Sequence, residues 1–256
     1  MLEKPTRPTV PYLYKYSSAD HLDWLESIIS KNELYFPTLL ELNDPADARP
    51  KLTASSLDGF VAFVYNGFVS QNPELQDEDY QRARAEIECG AKNFGTDLLL
   101  RKMAGLLHKE LEDHRIYSLA ERWDNLSMWA KYAGDHKGCC LEFANDGLFT
   151  SALEVTYDDG PVTLDVTDSR QNKAYFFFYK SNDWRNEEEA RIVCFSNDSP
   201  ARKKFDPRLL NRIILGKDMV EVQRKKIRDW AKERSPKLEV VRAEYDAFEQ
   251  KLIINT

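Results

Sequence analysis

The 256-residue sequence predicts one α+β domain with a mixed, mainly antiparallel β core and a helical region inserted at about residues 55–113. Three observations predict it. Short runs of β-branched and aromatic residues recur in both halves, separated by turn residues. One long stretch, Ser55 to His114, keeps helical periodicity instead. No Gly- or Ser-rich linker and no internal repeat divides the chain, and 42% hydrophobic residues supply a continuous core.

The elements follow in order. After a leader with three prolines, YLYKY (Tyr12 to Tyr16) reads as an aromatic strand. Ser17 or Ser18 then caps a helix with the apolar stripe Leu22, Trp24, Leu25, Ile28 and Ile29, and a second strand, Glu33–Phe36, stops at Pro37. ELNDPADARP (Glu41 to Pro50) makes a loop in which Asn and Asp side chains bond their own backbone. In the helical region Ile87, Ala91, Phe94 and Leu98 form one face and Leu99, Met103, Leu106 and Leu107 another, with Gly90, Gly95 and Gly105 as interruptions. The strand RIYSL (Arg115 to Leu119) leads to a helix begun by Asp124 or Asn125 and ended at Gly134. GCCLEF (Gly138 to Phe143) is the next strand.

The second half predicts strands at Glu154–Tyr157, Val162–Val166, Glu189–Phe195, Asn211–Gly216, Lys237–Arg242 and Lys251–Ile254, and a helix over Ser169–Tyr179. Asp218 with Glu221 forms a capping box for a helix carrying Val220, Ile227 and Trp230.

Composition excludes several chemistries. Ten glycines are about 4% of the chain, against roughly 7% in average proteins. No GxG occurs, so the Gly-rich phosphate loops of Rossmann and Walker A sites are absent as conventional motifs. A net charge of -7 disfavours loose binding to a phosphate backbone. Cys89, Cys139, Cys140 and Cys194 include no CxxC pair, and adjacent Cys139 and Cys140 would point to opposite faces of a strand, as buried thiols in a reducing compartment do. The four histidines show no ligand spacing, so no structural metal is expected. The leader has no apolar core and no run approaches a membrane span, which reads as a soluble cytoplasmic protein with no membrane partner.

The densest polar constellation is WRNEEEARI (Trp184 to Ile192). In extended structure Glu187, Glu189 and Arg191 share one face. Arg191 beside Glu189 would hold that carboxylate ionised, which suits stabilising positive charge on a sugar or bonding ribose hydroxyls. A solvated strand end with a surface ion pair is the alternative. In the helix after Asn125, Trp129 and Tyr132 lie one turn apart and offer an aromatic wall, although core packing explains Trp129 as well. His136 and Lys137 follow the helix end, where they either complement its dipole or contact an anion. Asp44, Asp47, Glu187 and Glu189 together would form an oxygen-rich set for Mg²⁺ in a nuclease.

Several segments together resemble a bacterial family of unknown function, numbered 2971. They are Leu13–Tyr16; Leu34–Pro37 with Asn43, Asp44, Pro45 and Asp47; Ser118 with Asp124, Asn125, Met128, Trp129, Tyr132, His136, Lys137, Gly138, Cys140 and Phe143; Lys180, Ser181 and Trp184 with Glu187, Glu189, Arg191 and Ile192; and Ile214 to Gly216. Their order is similar to that of ADP-ribosyltransferase-like folds, which implies two small sheets forming a cleft and NAD as substrate. On that resemblance Tyr14 or Lys15 would contact NAD, Ser118 would position the nicotinamide ribose, Glu189 would be the catalytic carboxylate and Glu187 would complete an E-x-E pair. Trp129, Tyr132, His136 and Arg191 would join the nucleotide site. The implied activity is ADP-ribosyl transfer or NAD hydrolysis, as in a toxin or phage-defence effector, with a protein or nucleic-acid acceptor. A non-catalytic nucleotide- or partner-binding module of a stress or defence system is the alternative.

Overall fold

The structure is a computed structural model and describes residues 2–170, 172–195 and 200–255. In chain order it runs β1 (Tyr12–Ser17), α1 (Leu22–Ile29), β2 (Glu33–Tyr35), β3 (Lys51–Thr53), α2 (Leu57–Gln71), α3 (Asp77–Phe94), α4 (Thr96–Leu111), β4 (Arg115–Ala120), α5 (Leu126–Tyr132) and β5 (Cys139–Ala144). There follow β6 (Leu153–Glu154), β7 (Thr156–Asp158), β8 (Thr163–Asp165), β9 (Tyr179–Ser181), β10 (Glu189–Cys194), β11 (Arg202–Lys204), β12 (Leu210–Leu215), α6 (Glu221–Glu233), β13 (Glu239–Asp246) and β14 (Lys251–Asn255). The α+β class and the helical insertion are as the sequence predicts.

One eight-stranded sheet carries the fold, in the order β14-β13-β12-β5-β1-β4-β10-β6. Only β12 and β13 run parallel in it. The apolar residues of β5 explain its central place: Cys139, Leu141 and Phe143 enter the core shared with α1 and α6, while Cys140 faces the opposite side with Tyr14, Tyr16, Ile214 and Trp129. All four cysteines are free. A third apolar cluster joins α2, α3 and α4 to Ile116 and to Phe176, Phe177 and Phe178.

The two sheets expected from the resemblance are continuous here, yet nearly divided. β1 pairs with β5 along its whole length but meets β4 only where Tyr14 lies opposite Ala120. Beyond that pair the strands part. Lys15 spans the gap, its Nζ donating to the Ser118 carbonyl at 2.9 Å.

Several elements differ from expectation for local reasons. The predicted strand Glu154–Tyr157 breaks at Val155, because Glu154 pairs with Ala190 whereas Thr156 turns to pair with Tyr179. The expected helix over Ser169–Tyr179 is a short 3₁₀ turn, Lys173–Phe178; Gln171 lies outside the described residues. Phe176, Phe177 and Phe178 are all buried, and consecutive burial does not fit an amphipathic α-helix. Asp218 does not cap α6. Its backbone N–H donates to the His136 carbonyl and its carboxylate meets Lys217, leaving Val220 at the helix start without a side-chain cap. Asn125 does cap α5, accepting from the N–H groups of Ser127 and Met128.

Candidate functional site

Where β1 and β4 part, a hollow of about 450 Å³ opens into the molecule. That volume suits a small-molecule ligand. Tyr14 and Lys15 of β1, Ser118 of β4 and Tyr132 of α5 line it, together with Glu187 and Glu189. These six expected site residues therefore meet, although they come from distant parts of the chain. The buried carboxylates form the floor, and the more exposed His21, Trp24, Tyr35 and Arg202 belong to the rim.

The floor is a closed network of charges. Arg191 is fully buried and donates from Nε and Nη2 to Glu189 at 2.7 and 2.9 Å. It also donates to both oxygens of Asp47, at 2.7 and 2.6 Å, and to the Phe177 carbonyl at 2.8 Å. Lys180, 4% exposed, donates to Glu187 at 2.8 Å and to Glu189 at 3.2 Å. The Tyr132 hydroxyl donates to the other oxygen of Glu187 at 2.7 Å and accepts from Asn43 at 3.0 Å. Trp184 covers the cluster, with the amines of Lys131 and Lys180 each 4.6 Å from its ring centre.

Local backbone makes this arrangement possible. The chain is not extended through Glu187 and Glu188. Residues Asn182–Glu187 form a 3₁₀ turn capped by Ser181, and Glu188 takes a left-handed conformation with φ 45°. The strand then begins at Glu189. Glu188 turns outward to Arg122, 3.7 Å away, while Glu187 and Glu189 both turn inward to Lys180. The alternative of a solvated strand end is thereby overturned, since Glu187, Glu189 and Arg191 are 4%, 5% and 0% exposed.

Electrostatics separates the acids. Burial by itself would raise Glu189, but Arg191, Lys180 and the Ser118 hydroxyl outweigh it and hold the carboxyl at about 2. Asp47 shares the same guanidinium and moves the other way, raised by burial and by the charge of Glu189 against the pull of Arg191. Lys15 is lowered to about 8 by burial, which the nearby Glu189 and Glu187 only partly offset.

Acceptor capacity separates Glu187 from Glu189. A carboxylate offers about four lone-pair sites. Glu189 accepts two bonds from Arg191 and one from Lys180. Glu187 accepts one from Tyr132 and one from Lys180, and the Lys131 amine stands 3.8 Å away. Glu189 thus takes three bonds from the protein and Glu187 two, and both line the hollow.

Three other expected contacts lie off the hollow. Trp129 is fully buried, donates to the Trp123 carbonyl at 2.7 Å and packs edge-on against Tyr16. His136 stacks on Trp129 at 5.8 Å, held where its own carbonyl receives Asp218. Neither lines the hollow, because both belong to the packing beneath α5. Arg191 lies below the carboxylates as their partner. Tyr14 lines the hollow, and burial followed by the charge of Glu142, itself bonded to Asn211 and Arg212, raises the pKa of its hydroxyl.

Lys180 had no expected role, although it stood in the quoted motifs, and Asn43, expected to bond its own backbone, donates to Tyr132. Asp47 entered only as an Mg²⁺ ligand, and Asp44 of that set instead accepts from the Ala46 N–H at 2.9 Å, closing the loop as Asx turns do. Among the described residues no group of acids, histidines or cysteines is arranged to hold a metal ion. No helix of the described chain is long and apolar enough to cross a membrane. Comparison with protein-family models, curated proteins and solved structures found no match for the chain.

Proposed function

We propose that the hollow binds NAD and breaks its nicotinamide–ribose bond, passing the ADP-ribosyl group to water or to an acceptor. The observation that carries the reading is the pair of buried acids, Glu187 and Glu189, at the floor of a nucleotide-sized hollow, Glu187 taking fewer bonds from the protein than Glu189. As the bond breaks, its electron pair leaves with neutral nicotinamide and positive charge develops on the ribose. Glu187, accepting a ribose hydroxyl, stabilises that charge. Fixed charge of this kind acts strongly where water is excluded. In hydrolysis, water attacks the sugar and releases a proton, so ADP-ribose, nicotinamide and H⁺ are the products.

The supporting residues have separate tasks in this reading. Lys180 and Tyr132 orient Glu187 from opposite oxygens. Arg191, paired with Asp47, holds Glu189 ionised beneath it. The Mg²⁺-nuclease alternative fares worse, because Asp47, Glu187 and Glu189 already have Lys180 and Arg191 as their cations.

Incubation of the protein with NAD tests the proposal through release of free nicotinamide. Saturable NAD binding without release would support the non-catalytic nucleotide-binding alternative and remove the reaction.

A further inference from the structure

The rim of the hollow carries a second feature that the proposed chemistry does not use. The buried face of α1 presents Leu25, Ile28 and Ile29 to the core, but Trp24 keeps 48% of its surface exposed. It is not an isolated apolar side chain. His21, at the start of the helix, stacks on Trp24 with ring centres 4.2 Å apart and planes 14° apart. Tyr35 of β2 stands 6.5 Å from the same indole at 28°. Its hydroxyl is fixed by Glu41 at 2.6 Å, and the Arg202 guanidinium lies 5.8 Å from its ring centre. Three near-parallel rings and a planar cation thus come together on the wall that leads to Glu187.

From this we infer that Trp24 is the stacking platform for the adenine ring of a dinucleotide whose nicotinamide ribose reaches the floor. The inference rests on the proposed reaction for the identity of the ligand. The physical argument is a division of chemistry within one cavity. Carboxylates occupy the buried end, where a sugar acquires positive charge; rings occupy the exposed end, where a base finds a π face. A base stacks on an aromatic side chain whatever its hydrogen-bonding edges; Arg202 at the rim, 51% exposed, is paired with Glu33 at 3.1 Å.

The test is calorimetric titration of the full chain with AMP, alongside NAD and nicotinamide mononucleotide, which contains the same scissile bond but no adenosine. AMP binds the unaltered protein, and Trp24→Ala weakens it by about tenfold or more, whereas Trp24→Phe, which keeps a ring, retains most of the affinity. Trp24→Ala also raises the KM for NAD more than that for the mononucleotide. Absence of AMP binding at millimolar concentration, or equal affinity in the alanine variant with its melting curve intact, overturns the platform. The two claims fail separately. Trp24-dependent AMP binding with no nicotinamide release keeps the platform and removes the reaction. Release from NAD and the mononucleotide with equal KM, both unaffected by Trp24→Ala, keeps the reaction and removes the platform.

Discussion

Asp47 and Arg191, 144 residues apart in the chain, are joined by two parallel hydrogen bonds of 2.7 and 2.6 Å. The pair ties the loop after β2 to the strand that carries Glu189. Both partners are buried, so the tie is a matter of stability as much as of geometry.

Removing Asp47 strips two buried charge-assisted bonds from Arg191, which keeps Glu189 as its counter-charge. Asp47→Ala is therefore expected to destabilise the fold by about 1.5–3 kcal/mol, read from urea denaturation at neutral pH. A loss below about 1 kcal/mol, as for an exposed ion pair, would contradict the buried network.

Glu189 gives an acid limb to the stability curve. Its folded pKa of about 2 lies below the unfolded value of about 4.3, so its contribution is complete above the latter and is lost as pH falls through the former. Asp47, raised on folding, works in the opposite sense. Comparing unfolding free energies from pH 7 to low pH, the fall below about 4.3 should be shallower in Glu189→Gln than in the parent. Parallel curves would show that Glu189 is not held ionised.

Glu121 should behave in reverse. Burial, then Glu154 and Glu188, raise its folded pKa to about 7. The folded state thus binds the proton more tightly, and stability drops as pH rises from about 4.3 towards about 7, then levels. Glu121→Gln is expected to be more stable than the parent at pH 8, with the difference shrinking towards pH 4. Equal melting temperatures at pH 8 would remove the repulsion.

Gly138 has a purely steric duty. A Cβ there would stand 2.1 Å from the Ser17 carbonyl oxygen, and one on Gly216 would stand 2.0 Å from that of His136. Gly138→Ala is accordingly expected to lower the melting temperature by several degrees, since backbone must shift to admit the methyl. An unchanged melting temperature would mean that β1 yields freely at this point.

These particulars explain what was legible in the sequence. The alternation of Cys139, Cys140 and Leu141, the stripe of α1 and the Asn125 cap are local patterns, and each predicts its element. The distinct motifs also predict a convergence, but not the work done by each residue. His136, Gly138 and Gly216 meet in packing: the Gly216 N–H donates to the Gly138 carbonyl at 2.8 Å. Asn43, Asp47 and Lys180 meet at the floor instead. Strand periodicity places Glu187 and Glu189 on one side, as found, but not the 3₁₀ turn that puts Glu187 there, because a left-handed residue at Glu188 is invisible to an alternation rule. The anchoring of Glu189 depends on Arg191 and Lys180 reaching it together, which only three-dimensional structure reveals.

The rate of nicotinamide release from NAD, compared between the parent and Glu187→Gln, tests the central claim most directly. Gln keeps a bond to Tyr132, and Lys180 keeps Glu189, so the variant should fold. The account predicts release by the parent and a loss of on the order of a hundredfold or more in the variant at an unchanged melting temperature. Release at the parental rate from folded Glu187→Gln, or none from either protein, would contradict it.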